Sequence, residues 1–476
     1  MSGSSPAVEP KDESSLIVTL VAAAFFMENL DGTIIATALP QMARSFHVHP
    51  IDLSIGITSY LLTLAVFIPI SGWVADRFGV RTVFTAALAV FTAASVVCGM
   101  TGGMVEFTAA RIVQGIGGAM MVPVGRLAVL RVTPKDNLMR AISIITWPGL
   151  VAPVIGPPLG GLITTYSSWR WIFYLNLPLG LIGILMAWRF ISPAGDTEKR
   201  PFDAPGFVLC GISGTAVMYA MELIGRADAS WGAALAFLLA GLVAGAAAWW
   251  HLRRAAHPVM DLSAFRIKTF AVAIGGGSLF RISISAVPFL VPLMFQLGFG
   301  MNAFRSGLLT LAVFAGNLAM KLVTTPVMKR FGFRSVLLVN GTFAAVSLAA
   351  MSLLTPATPY IWIVVVLFVS GLARSLQFTA LNTLSFADVP KPQMSGASTL
   401  SSTISQMTMG MGVAAGAIAL RAAAWLHGHH AQSVTASDFS LAFLLVAALG
   451  FVAIFDVFGL DRRAGAHVSG HRRREA

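Results

Sequence analysis

Two carboxylates lie within an apolar stretch near the start of the sequence, FFMENLDGTIIATALP at residues 25–40. Glu28 and Asp31 are three residues apart, so on a helix they share a face, with Cβ atoms roughly 5 Å apart. A charged side chain inside a membrane costs several kcal/mol unless it is paired, protonated or hydrated. Two close carboxylates also disfavour joint ionisation, which favours proton exchange near neutral pH. The pair therefore predicts a proton-binding site; alternatively, Glu28 is a neutral hydrogen-bonded group or faces a hydrated cavity without exchanging protons.

An arginine in another apolar stretch could pair with this site. By the span limits given below, Asp31 lies about nine residues and Arg111 about four residues from the outer end of its span, a depth difference of roughly 7 Å. Because such limits vary by about 2 to 4 residues and arginine is long, the two side chains can meet. We expect protonation of Asp31 to release Arg111 and bias a two-state opening. The alternative is a purely structural ion pair.

Three basic residues of the second half of the chain lie deep in apolar stretches. Arg281, Lys321 and Arg374 are each about 11 to 13 residues into a span, hence roughly 16 to 20 Å deep. No acid of that half is comparably deep, so they predict contact with an anionic group of a substrate or with partners from the first half. Alternatively, Lys321 extends toward the cytoplasm and Arg374 bonds to backbone carbonyls.

The elements that must position these residues are membrane-spanning helices. Of 476 residues 56% are hydrophobic and 11% are charged, whereas a soluble chain has roughly a quarter of its residues charged. Apolar runs of about 20 residues, each long enough to cross about 30 Å of hydrocarbon as a helix, recur along the chain. We predict an all-α integral membrane fold with fourteen spans: Leu16–Pro40, Leu53–Val74, Val83–Met100, Phe107–Leu127, Ile142–Tyr166, Trp171–Ile191, Phe207–Ile224, Trp231–His251, Phe270–Leu297, Leu308–Val327, Val336–Leu354, Ile361–Leu384, Leu400–Leu420 and Leu441–Leu460.

The net charge of +12 follows the topology. With the amino terminus in the cytoplasm, most of the 32 Lys and Arg residues fall on the cytoplasmic side. The exceptions outside spans are Arg44, Arg170, Arg226, Arg305 and Arg421. This asymmetry is the positive-inside rule, so the basic charge indicates two cytoplasmic termini and contact with anionic lipid rather than a nucleic-acid partner.

Other features argue against a signal peptide, a disulfide, a metal site and a soluble domain. The acidic start of the chain lacks the basic residues and cleavage site of a secretory signal, so we expect the first helix to be retained. Cys98 and Cys210 lie within predicted spans, so we expect no disulfide. The histidines of HGHH, at residues 427–430, have only Asp438 nearby and are interpreted as a hydrated outer loop. The longest connections have around 20 residues, too few for a soluble domain.

An internal repeat divides the chain. DRFGVRTV at residues 76–83 is echoed by KRFGFRSV at 329–336, and GPPLG at 156–160 by GVAAG at 412–416. The repeat predicts two six-helix bundles, residues 1–200 and 256–476, with an inserted hairpin of spans seven and eight at 201–255. Halves of equal topology are one transporter architecture, with the substrate held between them near the midplane.

Five motifs in order resemble the major facilitator superfamily, in its fourteen-span drug:proton antiporter branch. They are LDGTIIATALP, GWVADRFGVR, RIVQGIGGAMMVP, GLVAPVIGPPLGG and WRWIFYLNLPLG, and FDAPGF with HPVMDLSAFRIKTF extends the resemblance over nearly the whole chain. The resemblance implies that Arg111 and Gln114 of the RIVQG motif take part in proton coupling.

Two further motifs carry implied roles. The loop after span two resembles the family's gating signature, with Val80 where many members have a basic residue; the alternative is charge that only sets topology. Its matching residues are Gly72, Asp76, Arg77, Gly79 and Arg81. Span five resembles the antiporter motif, a bent, closely packed helix that limits leak, although glycines also serve ordinary helix packing. Its residues are Gly149, Pro153, Gly156, Pro157, Gly160 and Gly161.

Together the intramembrane carboxylates, the repeat and the resemblance predict a proton-coupled exporter of small molecules working by alternating access; the resemblance implies the multidrug efflux type and a bacterial inner membrane. The deep basic residues favour an alternative substrate, an organic anion such as citrate or a metal–citrate chelate; a sensor or channel on a transporter scaffold is a further alternative. The sequence has no GxxxxGK[ST] phosphate-binding loop, so the proton gradient is the expected energy source, without a cofactor. We expect no enzymatic activity, no bound metal and a monomer.

Overall fold

A computed structural model describes residues 10–133, 137–192, 201–225, 230–428, 434–461 and 464–465. Within these ranges the regular elements are all helical. Thirteen helical stretches are long and apolar enough to cross a membrane. The longest, Ala303–Met351, has 49 residues and would be about 73 Å long as one helix, more than twice the thickness of a bilayer core. It turns at Gly332, where φ is 71°, so it forms two spans and the described part of the chain has the fourteen predicted spans.

We number the spans in chain order. They are α1 Ser15–Thr37, α2 Ser54–Phe78, α3 Val80–Met100, α4 Met104–Val132, α5 Arg140–Tyr166, α6 Trp171–Phe190, α7 Ala204–Ile224, α8 Trp231–Leu252, α9 Lys268–Gly298, α10 at 303–331, α11 at 333–351, α12 Tyr360–Ala387, α13 Lys391–Leu426 and α14 Ala436–Gly459. The helix of α1 begins earlier, at Pro10, and a short helix, Leu39–Phe46, follows it.

The two copies of the repeat adopt the same local structure. Gly79 ends α2 with a φ of 84°, and Gly332 ends α10 with a φ of 71°. Both values lie in the left-handed region that glycine adopts at little cost. A basic residue follows two positions later in each copy, Arg81 and Arg334. The repeat therefore reverses the chain at equivalent points of the two halves.

Glycines of the second repeat lie at close contacts between helices. A Cβ atom added to Gly160 of α5 would lie 2.5 Å from the carbonyl oxygen of Ile34 in α1. One added to Gly412 of α13 would lie 2.5 Å from the carbonyl oxygen of Ile282 in α9. Since real Cβ contacts are not that short, only glycine lets these backbones approach so closely. Thus α5 packs closely on α1, and α13 packs closely on α9.

The hairpin of α7 and α8 is closed at its base by Asp203. This carboxylate accepts hydrogen bonds from the backbone N–H groups of Gly206 and Val259, each at 3.0 Å, and lies 2.7 Å from His251 Nε2. Burial alone would raise the pKa of the Asp203 carboxyl, but the hydrogen bonds from His251 and the two amides lower it, and the net pKa lies below its ordinary value. The start of α7, the end of α8 and the segment leading to α9 are thereby joined.

Candidate functional site

A closed hydrogen-bond network surrounds Asp31. Arg111 Nη1 of α4 donates to Asp31 Oδ2 of α1 at 2.6 Å, and Gln114 Nε2 donates to Asp31 Oδ1 at 2.9 Å. Arg111 Nη1 also donates to Gln114 Oε1 at 2.7 Å. Asp31 is 2% exposed, and Arg111 and Gln114 are fully buried. The structure thus places the three side chains together, as the sequence analysis expected for Asp31 and Arg111.

The Arg111 guanidinium also contacts α2. Its Nε donates to the backbone carbonyl of Gly56 at 3.1 Å, and its Cζ lies 4.2 Å from the centre of the Tyr60 ring. A guanidinium over an aromatic face is attracted by the negative face of the ring, more strongly when both are removed from water. The arginine is therefore fixed by a carboxylate, a carbonyl and a ring from two helices besides its own.

Two members of the network, Asn176 and Ser95, were not predicted from the sequence. Asn176 Nδ2 of α6 donates to Asp31 Oδ1 at 3.1 Å and to Ser95 Oγ of α3 at 2.8 Å. Both residues are uncharged, so neither stood out from the sequence, although Asn176 lies in the WRWIFYLNLPLG motif. With them the network joins α1, α3, α4 and α6. A change of charge at Asp31 can therefore alter the packing of four helices.

Glu28 faces a different environment from Asp31. It lines a cavity of about 230 Å³ whose walls come from α1, α2 and α5 of the first half and from α9, α10, α12 and α13 of the second. Arg126 of α4 was also not predicted to lie near this site. Its guanidinium lies 4.9 Å over the Phe25 ring, and its charge acts on Glu28. The cavity therefore contains an acid from the first half, at the place between the halves where the repeat predicted a substrate.

Two of the three deep basic residues line the same cavity. Lys321 of α10 lines it and donates from Nζ to Thr379 Oγ1 at 2.6 Å, while Arg374 of α12 lines it beside Phe314. Arg281 is not among the lining residues. It is 1% exposed and donates to Ala273 O at 3.0 Å and to Asn382 Oδ1 at 2.9 Å, within the second half. The cavity thus has two cations on the second half opposite one acid on the first.

The two halves meet at the end of the cavity that the predicted topology places outside. Gln296 Nε2 of α9 donates to the carbonyl of Thr37 in α1 at 3.0 Å. Arg421 of α13 forms an ion pair with Asp52, which precedes α2, and its Nε donates to the carbonyl of Gly225 at the end of α7. These bonds connect both halves and the inserted hairpin, so they must break if the cavity opens at this end.

Residues of the antiporter-like motif in α5 lie in close backbone contact with α10 at this closure. A Cβ atom on Gly161 of α5 would lie 2.3 Å from the carbonyl oxygen of Ala303, and one on Gly307 of α10 would lie 2.2 Å from that of Pro157. Gly156 and Gly160 face α1 instead, and Gly149 lies near Asn29. Pro153 lines the cavity. The motif residues thus lie at two helix contacts and at the cavity, while a role in limiting leak stays a prediction.

The gating-like loop lies at the opposite end. Asp76 Oδ1 lies 4.0 Å from Arg131 Nη2, with about a third of each side chain exposed. Such an exposed pair contributes little to stability, so it can break at low cost. The guanidinium of Arg81 lies 5.3 Å from the ring centre of Trp188. Arg77 is exposed, and a Cβ atom added to Gly72 would have no neighbour within 4 Å. The loop's function stays a prediction.

The remaining sequence predictions concern cysteines and metals. Cys98 and Cys210 are both free thiols. His429 and His430 of the HGHH cluster lie outside the described residues, whereas His427 Nδ1 lies 2.7 Å from Asp438 Oδ1. Among the residues that the structure describes, no group of three or more His, Cys, Asp or Glu side chains is placed to hold a metal ion.

Comparisons with known proteins agree with this architecture. A bacterial relative from Klebsiella pneumoniae (strain 342), named as multidrug resistance protein MdtD, is 38% identical over 435 residues, 89% of each chain. One of the same name from Pectobacterium carotovorum subsp. carotovorum (strain PC1) is 39% identical over 84% of this chain and 86% of its own. The crystal structure of a D-xylose–proton symporter superposes with a TM-score of 0.68 at 14% identity, covering 95% of this chain and 99% of that one. The family model of the Major Facilitator Superfamily matches residues 21–413. The chain is a member of the Major Facilitator Superfamily and a multi-pass membrane protein.

Proposed function

We propose that this membrane transporter is a proton-coupled exporter that moves small molecules out of the cytoplasm by alternating access. The observation that carries the proposal is the buried pair of Asp31 and Arg111, next to a cavity between the two halves. A buried ion pair is costly to keep and strongly destabilising when one charge is lost, so a proton on Asp31 changes the balance between two arrangements of the helices.

The steps follow from the contacts. In the closed network Asp31 accepts from Arg111, Gln114 and Asn176. A proton that binds Asp31 removes the negative charge, so Arg111 loses its partner and α1 is no longer tied to α4 and α6. This proton comes from outside, after the bonds between the outer ends of the halves have broken and the substrate has left, and the loosened network favours return to the form that is closed at the outer end. There the proton leaves to the cytoplasm and the pair of Asp31 and Arg111 forms again, so the transporter can load substrate once more.

The relatives named for multidrug resistance support amphipathic drugs as the substrate class. The apolar walls of the cavity, from residues such as Leu61, Leu64 and Phe289, suit such molecules. Under this proposal the protein acts as a monomer in a bacterial inner membrane, with both termini in the cytoplasm and with the proton gradient as its only energy source. It has no enzymatic activity.

A second candidate substrate is an organic anion, such as citrate or a metal–citrate chelate. The observation that favours it is the pair of cations, Lys321 and Arg374, on the second-half wall of the cavity. Since Glu28 is the acid on the opposite wall, an anionic group would bind toward α10 and α12 rather than toward α1. A sensor or a channel is less favoured, because neither needs a buried, proton-accepting pair beside the cavity.

Transport into sealed inside-out vesicles tests the proposal. With an imposed proton gradient, we expect the wild-type protein to accumulate substrate, and competition between a lipophilic cation and citrate identifies the substrate class. The control is Glu106→Gln, which removes an exposed acid at the start of α4 and should leave uptake unchanged. Equal uptake with and without a gradient would contradict proton coupling, and absence of any uptake across both substrate classes would contradict export.

A further inference from the structure

A second cavity, of about 220 Å³, opens on the membrane-facing surface between α1 and α6. Small residues create it: Ala23 and Ala24 line it from α1 and Gly183 from α6, with the buried Leu88 of α3 at its floor. Among the lining residues that the structure describes, Thr19 is the one polar residue, and its hydroxyl already donates to the carbonyl of Ser15. An apolar groove without polar partners does not hold ordered water, so in a bilayer it is filled by hydrocarbon.

One end of this groove is basic. Arg189 lies one helical turn beyond Met186, which lines the groove, and Arg81 lies two turns before Leu88 on the same face of α3. The two arginines are therefore at the same end, which the proposed topology places in the cytoplasmic leaflet. Trp188, 62% exposed, lies there too, with the Arg81 guanidinium 5.3 Å from its ring centre. Tryptophan is typical of the membrane–water interface, so the arginines lie at headgroup depth.

A phospholipid has both an apolar chain that suits the groove and a phosphate that suits the two arginines. From Thr19 to Met27 the groove follows eight residues of α1, about 12 Å along the membrane normal, which suits an extended acyl chain. Guanidinium groups bind phosphate through charge-assisted hydrogen bonds, and basic sites between helices at this depth select anionic headgroups. We propose that the groove binds one acyl chain of an anionic phospholipid whose headgroup is held by Arg81 and Arg189.

The position of the groove gives the lipid a functional consequence. It lies between α1 and α6, the helices that carry Asp31 and Asn176, whose side chains are 3.1 Å apart. Met27 lines the groove one residue before Glu28. A chain wedged between α1 and α6 therefore supports the spacing of the helices that hold the Asp31 network. Anionic lipid is expected to stabilise the folded transporter.

Native mass spectrometry of the purified protein in equal amounts of phosphatidylglycerol and phosphatidylcholine tests the site. We expect the wild type to retain phosphatidylglycerol preferentially, and Arg189→Gln to reduce that preference severalfold, with a larger loss in Arg81→Gln/Arg189→Gln. The matched control is Arg254→Gln, which removes another arginine stacked on a tryptophan, 4.1 Å over Trp250, at the end of α8 and away from the groove. This control should bind like the wild type.

Filling the groove separates acyl-chain binding from headgroup attraction. Ala23→Leu places a larger side chain at the exposed wall of α1 and should lower retention of both lipids while leaving both arginines in place. An unchanged lipid preference in the Arg81→Gln/Arg189→Gln variant, or an equal loss in Arg254→Gln, would overturn the proposal. Because bound lipid is measured directly, neither result depends on transport activity.

Discussion

Glu28 and Asp31 lie one turn apart on α1 but in different surroundings. Asp31 is enclosed by Arg111, Gln114 and Asn176, whereas Glu28 lines the cavity between the halves. Within the proposed mechanism, only Asp31 has the partner whose release would move helices. Glu28 is instead the acid that a bound substrate would meet.

Glu28→Gln is therefore expected to change substrate selection while leaving proton coupling intact. The variant removes the one acid among the described residues that line the cavity, so export of lipophilic cations should fall about tenfold relative to export of anions, a difference of roughly 1.4 kcal/mol. Uptake of both classes into inside-out vesicles gives this ratio, with Glu106→Gln as the control. A variant that exports every substrate but no longer responds to the gradient would assign proton coupling to Glu28 instead.

Replacing Lys321 or Arg374, the cations that line the cavity, is expected to have the opposite effect on substrate selection. Lys321→Gln and Arg374→Gln should each weaken export of an organic anion about tenfold and leave lipophilic cations unaffected or better exported. The comparison variant is Arg281→Gln, since Arg281 is equally deep but bonds to Ala273 and Asn382 away from the cavity. It should leave the anion-to-cation ratio unchanged. A ratio that shifts in Arg281→Gln and stays constant in the other two would contradict the assignment of the cavity.

Gly161→Ala and Gly307→Ala should shift the protein toward an outward-open form. Each new Cβ would lie within 2.3 Å of a backbone carbonyl of the other half, so the closed contact of α5 and α10 cannot form unchanged. The control is Gly232→Ala in the hairpin, where an added Cβ has no neighbour within 4 Å.

Disulfide cross-linking measures this shift. In a background without Cys98 and Cys210, cysteines introduced by Thr37→Cys and Gln296→Cys report on the contact between the outer ends of α1 and α9. We expect the yield of the cross-link to fall in both glycine variants and to stay at its original level in the control. An unchanged yield in Gly161→Ala would show that the contact of α5 and α10 does not hold the outer end closed.

The base of the hairpin should show a defined dependence on pH. Because the pKa of Asp203 is lowered by its hydrogen bonds in the folded protein, its contribution to stability is present above the ordinary value of 3.8 and is lost as the pH falls through the folded pKa. Asp203→Asn keeps an acceptor for the helix cap but removes its charge, so it should lower stability at pH 7 by about 1 kcal/mol, the difference between hydrogen bonds to a charged and to a neutral acceptor, and the difference from the reference protein should shrink below about pH 4.

Thermal unfolding in detergent from pH 7 to pH 3 measures this difference. The comparison is made in the His251→Gln background, which keeps a hydrogen-bond donor beside Asp203 but removes the imidazole. A difference that stays constant over this range would mean that the ionised form of Asp203 is not favoured by folding.

The depth of a residue along its span was predictable from the sequence, but the direction in which its side chain points was not. Hydropathy gave the number of spans, and residue counts along two spans allowed Asp31 and Arg111 to meet, as they do. The same counting placed Arg281, Lys321 and Arg374 at one depth, yet Arg281 points into the second half. Depth follows from the rise of 1.5 Å per residue, whereas direction depends on how each helix is rotated when it packs.

Three residues near the acidic pair were not predicted from the sequence. Asn176 and Ser95 are ordinary polar side chains until Asp31 is known to lie beside them. Arg126, within predicted span four, was not expected to take part in the site, although its charge acts on Glu28. Long side chains reach a turn or more from their backbone position, so the end of a span does not fix where a guanidinium lies.

The most direct test of the account is substrate-driven proton movement across sealed liposomes that contain either the wild type or Asp31→Asn, followed with a pH-sensitive dye. The asparagine keeps the shape of the side chain and removes its titratable group. We expect the wild type to move protons when substrate is added and Asp31→Asn to move none while it remains folded. Proton movement of equal size in the variant would contradict the proposed role of Asp31.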